Sequence, residues 1–302
     1  MSTGQDDEFL RKQGPRIICG RAFGLAASMT RSTHTPNSYD ENLQSFLFDD
    51  LPPAAPVVTA PKTATWNPWH GCLKYSEGCR NCYVYRGDEK WGRDSRRVQK
   101  TAQFHMPLER YADGAYKYPS GSLFWTCFSS DFFLADNGAD MWRKETWRVI
   151  RERKDCAFFI ITKRILRFWE CIPDDWGAGY ENVTIGVTCE NQRRAGERLP
   201  FFKELPIAHK VFIHEPLLSP LDISACLFPG VEKVVAGGES GKNARACRYE
   251  WFLSLREQCE AAGVPFMFKQ TGARFIKDGK LYAIPRPLQH IQADKAGINY
   301  NP

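Results

Sequence analysis

Residues 140–164 read DMWRKETWRVIRERKDCAFFIITKR, and this stretch holds one helix pattern followed by one strand pattern. In its first part the two tryptophans and Ile150 recur at the spacing of one helix face, which predicts a helix over Asp140–Arg153. In its second part the apolar run Cys156–Thr162, rich in aromatic and β-branched residues, predicts a buried strand. Chains that alternate helix and strand in this way form parallel sheets covered by helices.

The same alternation extends along most of the chain. Further helices are predicted over Asn191–Glu204 and Tyr249–Ala262. After the first two predicted strands, each strand follows the previous one by about the length of a βα unit. The other predicted strands are Thr63–Asn67, Ser122–Phe128, Asn182–Thr188, Lys210–His214, Lys233–Gly237 and Val264–Lys269. We therefore predict an α/β fold in which residues 61–302 form a partial or complete β/α barrel.

Polar side chains gather where five consecutive predicted strands end. They are Ser129-Ser130-Asp131, Thr162-Lys163-Arg164, Thr188-Cys189-Glu190-Asn191, His214-Glu215-Pro216 and Gly237-Gly238-Glu239-Ser240. Any single one of these groups is also consistent with capping of the next helix. Because the carboxyl ends of the strands carry the active site in β/α barrels, five such groups in a row predict a functional site at that edge.

Three cysteines follow the first strand in the segment WNPWHGCLKYSEGCRNCY, residues 66–83. Cys72, Cys79 and Cys82 are the candidate metal ligands. Three thiolates can hold three irons of a four-iron cluster and leave the fourth iron open. They can equally hold zinc, with His70 or a remote residue as the fourth ligand. A third interpretation is three unrelated structural cysteines, and at this point the residues leave all three open.

Composition excludes several classes of protein. The chain has 302 residues, a net charge of +6 and 43% hydrophobic residues, which excludes disorder of the whole chain. No run of about 18 apolar residues occurs, so no membrane span is expected. The acidic start does not resemble a secretory signal, and scattered cysteines suit a reducing compartment, so we expect a cytoplasmic protein. Residues 1–60 lack sustained periodicity and are predicted to be an N-terminal extension that is only partly ordered.

Seven motifs in this order resemble a known family. The cysteine segment is followed by FSSDFF, ITKR, GVTCENQ, EPLLSPLDI, AGGESG and FKQTG. Together they closely resemble a phage-associated family of three-cysteine proteins that is similar to the radical S-adenosylmethionine superfamily, and the resemblance spans about residues 63–275. The gap between Cys72 and Cys79 is wider than in the commonest superfamily pattern, and Asn81 replaces an aromatic residue.

The resemblance implies a partial β/α barrel, a 4Fe-4S cluster held by Cys72, Cys79 and Cys82, and S-adenosyl-L-methionine as cofactor. It also implies an adenosyl radical as the reactive species and an electron donor of the flavodoxin or ferredoxin type. The implied cofactor-binding residues are Ser129, Ser130, Asp131, Lys163, Glu190 and Asn191. The first three would meet the amino group, Lys163 the carboxylate, and the last two the ribose hydroxyls.

Three residues at later strand ends are the candidate catalytic residues. Glu215 is an acid or base candidate, Glu239 would meet substrate or orient Lys269, and Lys269 closes the seventh strand. The tripeptide Gly237-Gly238-Glu239 resembles the superfamily's motif for binding the amino group of the cofactor. It follows the sixth strand, however, so we do not transfer that role to it.

Two basic stretches bear on the substrate. Residues 86–100 surround Trp91 with basic side chains, and the helix over Asp140–Arg153 carries a second set. With the phage association they favour a nucleic-acid base or a nucleotide-like compound as substrate. Residues 1–60 are candidates for contact with a partner protein.

Two other classes of function remain open. One is a zinc-bearing nucleic-acid-binding module without catalysis. The other is a metal-dependent hydrolase on the same barrel, with Asp131, Glu190, Glu215 and Glu239 around the metal. Hydrolases of this type usually carry more histidines at their strand ends than this chain offers.

Overall fold

The computed structural model describes residues 60–302, so the predicted extension lies outside the described part but for its last residue. The strands are β1 (Thr63–Trp66), β2 (Trp69–His70), β3 (Gln99–Lys100), β4 (Leu123–Thr126), β5 (Ala157–Thr162), β6 (Val183–Thr188), β7 (His209–His214), β8 (Val231–Gly237), β9 (Cys247–Arg248), β10 (Phe266–Gln270), β11 (Arg274–Lys277) and β12 (Lys280–Ala283). The helices are α1 (Tyr83–Lys90), α2 (Asn137–Glu152), α3 (Phe168–Cys171), α4 (Gln192–Glu204), α5 (Tyr249–Ala261) and α6 (Arg286–Lys295).

Seven strands form one parallel sheet in the order β1-β4-β5-β6-β7-β8-β10. The sheet curls into a half-barrel flanked by helices. All seven strands predicted from the sequence are present, and so are the three predicted helices, with small differences at their ends. The partial barrel is confirmed and the complete barrel is wrong, because β1 and β10 are the two edges of the sheet and do not pair with each other.

The two faces of the sheet differ in burial because side chains alternate along each strand. On one face Phe212 of β7 packs against Phe202 of α4, with ring centroids 6.0 Å apart. On the other face Trp125 and Phe159 pack against each other at 4.8 Å but remain partly exposed. The half-barrel therefore has a buried outer face and an open, aromatic concave face.

Helix α2 carries only part of the basic surface that the sequence predicts, because Lys144 and Arg148 are exposed but two other arginines of the predicted set are buried. Arg143 is buried and donates to the carbonyl oxygens of Phe132 and Leu134, 2.7 Å away in each case. Arg153, just after the helix, is also buried and pairs with Asp155. These two guanidinium groups donate to backbone carbonyl oxygens of neighbouring segments. The prediction that Arg143 and Arg153 lie on a basic surface is therefore wrong.

A three-stranded sheet in the order β12-β11-β9 and helix α6 complete the described chain. The sequence did not predict these elements, because the strands have two to four residues and carry no clear alternation. Within residues 60–302 no helix is both long and apolar enough to span a bilayer.

Candidate functional site

The cysteine loop, residues 71–82, follows β2 and lies against the carboxyl edge of the sheet. It begins at Gly71, whose φ of 98° favours glycine, and a Cβ there would stand 2.5 Å from the carbonyl oxygen of Arg97. The Gly71 amide donates to the Ser129 carbonyl over 3.2 Å, and the Ser130 hydroxyl donates to the Gly71 carbonyl over 2.5 Å. The end of β4 therefore holds the start of the loop.

The three candidate ligands in this loop are partly exposed, unpaired thiols. Burial raises the pKa of the Cys72 thiol to about 12, and Asp131 and the thiols of Cys79 and Cys82 act in the same direction. The three thiols are thus electrostatic neighbours. Cys82 is also the N-cap residue of α1.

Within the described residues, no three His, Cys, Asp or Glu side chains form a group that could hold one metal ion. His70, the predicted fourth zinc ligand, has its Nε2 2.9 and 3.0 Å from the two carboxylate oxygens of Asp88. Three thiolates are the protein ligands of a four-iron cluster with one open iron, whereas a closed zinc site takes four protein ligands.

Glu190, at the end of β6, anchors the middle of the cysteine loop. Its Oε1 accepts hydrogen bonds from the Ser76 hydroxyl and, over 3.0 Å, from the Gly78 amide. Its Oε2 accepts from Arg198 Nη1 over 2.9 Å, and these two residues are 0% and 1% exposed. Burial alone would raise the pKa of Glu190, but the charges of Arg198 and Lys163 outweigh it, and the pKa lies below its ordinary value.

Glu239, after β8, anchors the end of the loop. Its Oε2 accepts from Asn81 Nδ2 over 2.9 Å and from the Arg245 amide over 2.8 Å, while Arg245 Nη2 donates to Oε1 over 2.5 Å. Arg245 Nη1 also donates to the Glu77 carbonyl. Burial raises the pKa of Glu239, but the hydrogen bonds from Arg245 and Asn81 lower it by a larger amount. The pKa therefore lies below its ordinary value, and the carboxylate stays charged.

The remaining predicted cofactor-binding residues also lie at this edge. Asp131 accepts from the Thr162 hydroxyl over 2.6 Å and from the amides of Phe133 and Lys163, so it ties the ends of β4 and β5 together. The Ser129 hydroxyl donates to the Trp69 carbonyl over 3.2 Å. Asn191 caps helix α4 by accepting from the Arg194 amide.

Lys163 differs from these residues. It is partly exposed, and within residues 60–302 its ammonium group takes part in no hydrogen bond or ion pair. Its charge lowers the pKa of Glu190, so it lies near the middle of the cysteine loop.

The candidate catalytic residues Glu215 and Lys269 form an ion pair of 2.7 Å, and Gln270 donates to the other oxygen of Glu215 over 2.5 Å. Tyr83, the first residue of α1, is 56% exposed. Its hydroxyl donates to the Phe128 carbonyl.

His214 directly precedes Glu215 in the chain and, unlike it, is fully buried. Its Nδ1 lies 2.7 Å from the Cys189 carbonyl and therefore donates to it, while Nε2 has no partner within the described chain. Burial lowers the pKa of His214 to about 4, so the ring is neutral at physiological pH.

The sequence did not identify four residues that hold the loop. Arg164 Nη2 donates to the Leu73 carbonyl over 2.6 Å, and the Tyr85 hydroxyl donates to the Cys72 carbonyl over 2.5 Å. Asn81 and Arg245 act through Glu239, as described above. Asn81 was the one residue whose departure from the superfamily pattern pointed to such a contact. Its side-chain amide donates a hydrogen bond to Glu239 that an aromatic ring at this position could not make.

A family model described as a protein of unknown function (DUF5131) matches residues 61–301. No curated protein and no solved structure matched the chain.

Proposed function

The chain belongs to the DUF5131 family, and we propose that it is an iron–sulfur enzyme of the radical S-adenosylmethionine type. We propose that its substrate is a nucleic-acid base or a nucleotide-like compound. One observation carries the proposal: three partly exposed thiols stand on a single loop that buried carboxylates attach to the carboxyl edge of a half-barrel. The phage association and the superfamily resemblance are part of the same proposal.

The attachment of the loop supports a preorganised site. Ser130 after β4, Arg164 after β5, Glu190 after β6 and Glu239 after β8 all contact it. Contacts from four strand ends fix the loop backbone before any ligand binds. A site whose ligands are held by such supporting contacts loses little conformational entropy when its cofactor enters.

The group that Cys72, Cys79 and Cys82 would hold is a four-iron cluster with one open iron, which supplies reductive cleavage of S-adenosylmethionine when bound. Lys163 offers an unpaired ammonium to the cofactor's carboxylate. The serine hydroxyls and Asp131 already serve the loop and the ends of β4 and β5, so their first role is to position backbone atoms at this edge.

Glu215 and Lys269 are the residues through which the chain would handle protons on a substrate. Their ion pair is partly exposed, so one face remains accessible to a ligand. Gly237 leaves room for it, because a Cβ there would stand 3.0 Å from Glu215 Oε1. Trp125 and Phe159 give the concave face of the same sheet an aromatic surface.

The contacts give less support to the two alternative functions. A zinc module needs a fourth ligand beside the three thiols, and Asp88 occupies Nε2 of His70, so only Nδ1 of that ring could serve. A hydrolase needs carboxylates free for metal, whereas Glu190 and Glu239 are both paired with arginines.

Anaerobic purification with iron and sulfide reconstitution tests the proposal, with visible spectra and electron paramagnetic resonance recorded with and without S-adenosylmethionine. We expect a brown protein whose reduced signal shifts on adding the cofactor. Cys72→Ala should lose the signal, and Cys226→Ala should keep it, because Cys226 is a similarly exposed thiol outside the loop. A colourless protein that binds one equivalent of zinc would refute the radical proposal.

A further inference from the structure

We propose that a basic cleft beside the cysteine loop binds a single-stranded nucleic acid and leads its bases to the carboxyl edge. The inference deepens the proposed function and rests on it for the chemistry that follows binding. The cleft has a volume of about 870 Å³, and Cys82 and Asn81 lie in its wall. Its basic lining residues are Lys74, Arg80, Arg86, Arg93 and Arg96.

The charge of the cleft favours a polyanion. Two acidic residues, Glu89 and Asp94, line it as well, and Asp94 is already paired with Arg96 at 3.0 Å. Within residues 60–302 the guanidinium groups of Arg80 and Arg93 take part in no salt bridge. A concave surface with unpaired cations concentrates the field that attracts phosphates.

Aromatic side chains make an unpaired strand a better occupant than an acidic protein. The Tyr85 ring lines the cleft, and the bond from its hydroxyl to the Cys72 carbonyl fixes its orientation. Trp91, 62% exposed, stands between Lys90 and the cleft residues Gly92 and Arg93. An exposed ring such as Trp91, beside phosphate-binding cations, stacks with unpaired bases, which a duplex does not offer. The Tyr85 ring is only partly exposed, and Lys74 Nζ lies 4.6 Å from its centroid, so it contributes a wall of the cleft rather than a stacking face.

The position of the cleft connects strand binding to the candidate functional site. Its wall includes Cys82 and Asn81, so it ends at the loop that carries the candidate ligands. Two of its cations, Lys74 and Arg80, belong to the loop itself, and the others come from the chain that follows the loop. A strand held there would present a base at the carboxyl edge without a base-flipping step.

The full chain should be titrated against a fluorescein-labelled 20-nucleotide single-stranded DNA at several NaCl concentrations, with anisotropy as the readout. The test variant is Arg80→Gln with Arg93→Gln. We expect its Kd to rise about 10-fold or more and its salt dependence to fall by about 1.4 in log–log slope, from about 0.7 per lost phosphate contact. Trp91→Ala should raise the Kd about 5-fold or more through lost stacking.

The matched control is Arg274→Gln with Lys280→Gln, which removes the same charge from exposed positions of β11 and β12 outside the cleft. We expect its Kd to stay within about 2-fold of the unchanged chain. Equal losses in both double variants would overturn the proposal, as would no binding at low salt. Binding of an acidic electron-donor protein, but not of DNA, through the same arginines would overturn it in favour of a protein partner.

The two proposals fail separately. A brown protein whose signal responds to S-adenosylmethionine, but which binds no oligonucleotide, overturns the cleft inference alone. A colourless protein that binds the strand through Arg80 and Arg93 supports the cleft and refutes the radical enzyme.

Discussion

Replacing Glu190 by glutamine tests whether the cysteine loop depends on a buried charge. The substitution keeps the shape of the side chain, and its oxygen can still accept from Ser76 and Gly78. Its amide, however, faces Arg198 Nη1, which is itself a donor. Arg198 is then left charged and buried without its carboxylate.

The expected cost is about 3–5 kcal/mol of unfolding free energy, the range for removing one partner of a buried pair. Arg198 is 1% exposed, so hydration of its guanidinium replaces little of the lost carboxylate. Glu239→Gln should cost less, about 1–3 kcal/mol, because its partner Arg245 is 29% exposed and can be hydrated. Since domains are stable by about 5–15 kcal/mol, the first change removes a large share of the total.

Urea unfolding followed by tryptophan fluorescence measures both costs, and the reaction rate of the native thiols with a disulfide reagent reports on the loop. Glu109→Gln, at the exposed ion pair with Lys117, is the control and should change stability by no more than about 0.5 kcal/mol. Adding Arg198→Met to Glu190→Gln should restore part of the loss, because the unpaired charge is gone. A loss below about 1 kcal/mol in Glu190→Gln, or a larger loss in Glu239→Gln, would refute the reasoning.

Three further predictions concern the residues around this loop. Because burial lowers the pKa of His214 from 6.5 to about 4, its contribution to stability is complete above pH 6.5 and is lost as the pH falls towards 4. His214→Asn keeps a donor for the Cys189 carbonyl but cannot titrate there, so its stability relative to the unchanged protein should improve by about 2 kcal/mol between pH 7 and pH 5 in urea titrations; a constant difference would contradict this. Gly71→Ala should lower the unfolding free energy by about 2 kcal/mol or more, because the backbone is left-handed and Arg97 blocks the Cβ, and an unchanged urea midpoint would exclude that strain. Glu215→Gln should change thermal stability by no more than about 1 kcal/mol, because its pair with Lys269 is partly exposed, and a larger loss would show that the pair supports the fold rather than a ligand.

Much of the architecture could be predicted because it depends on local patterns. The alternation of apolar runs and helical periods is a property of short segments, and each of the seven strands appeared where its run stands. The placement of Cys72, Cys79 and Cys82 beside polar strand ends also follows from chain order, because parallel strands bring their carboxyl ends to one edge. Whether the sheet closes depends on the pairing of its two edge strands, which no local pattern records.

The roles of the strand-end residues were decided by tertiary structure. Glu190 and Glu239 resemble free acids in the sequence, yet their partners on the loop lie 114 and 158 residues away in the chain, at Ser76 and Asn81. Contacts over such distances leave no periodicity or spacing in the sequence. The sequence by itself determined which groups meet at the carboxyl edge, and the folded chain decided which of them are occupied in holding the cysteine loop and which, like Lys163, remain free to bind.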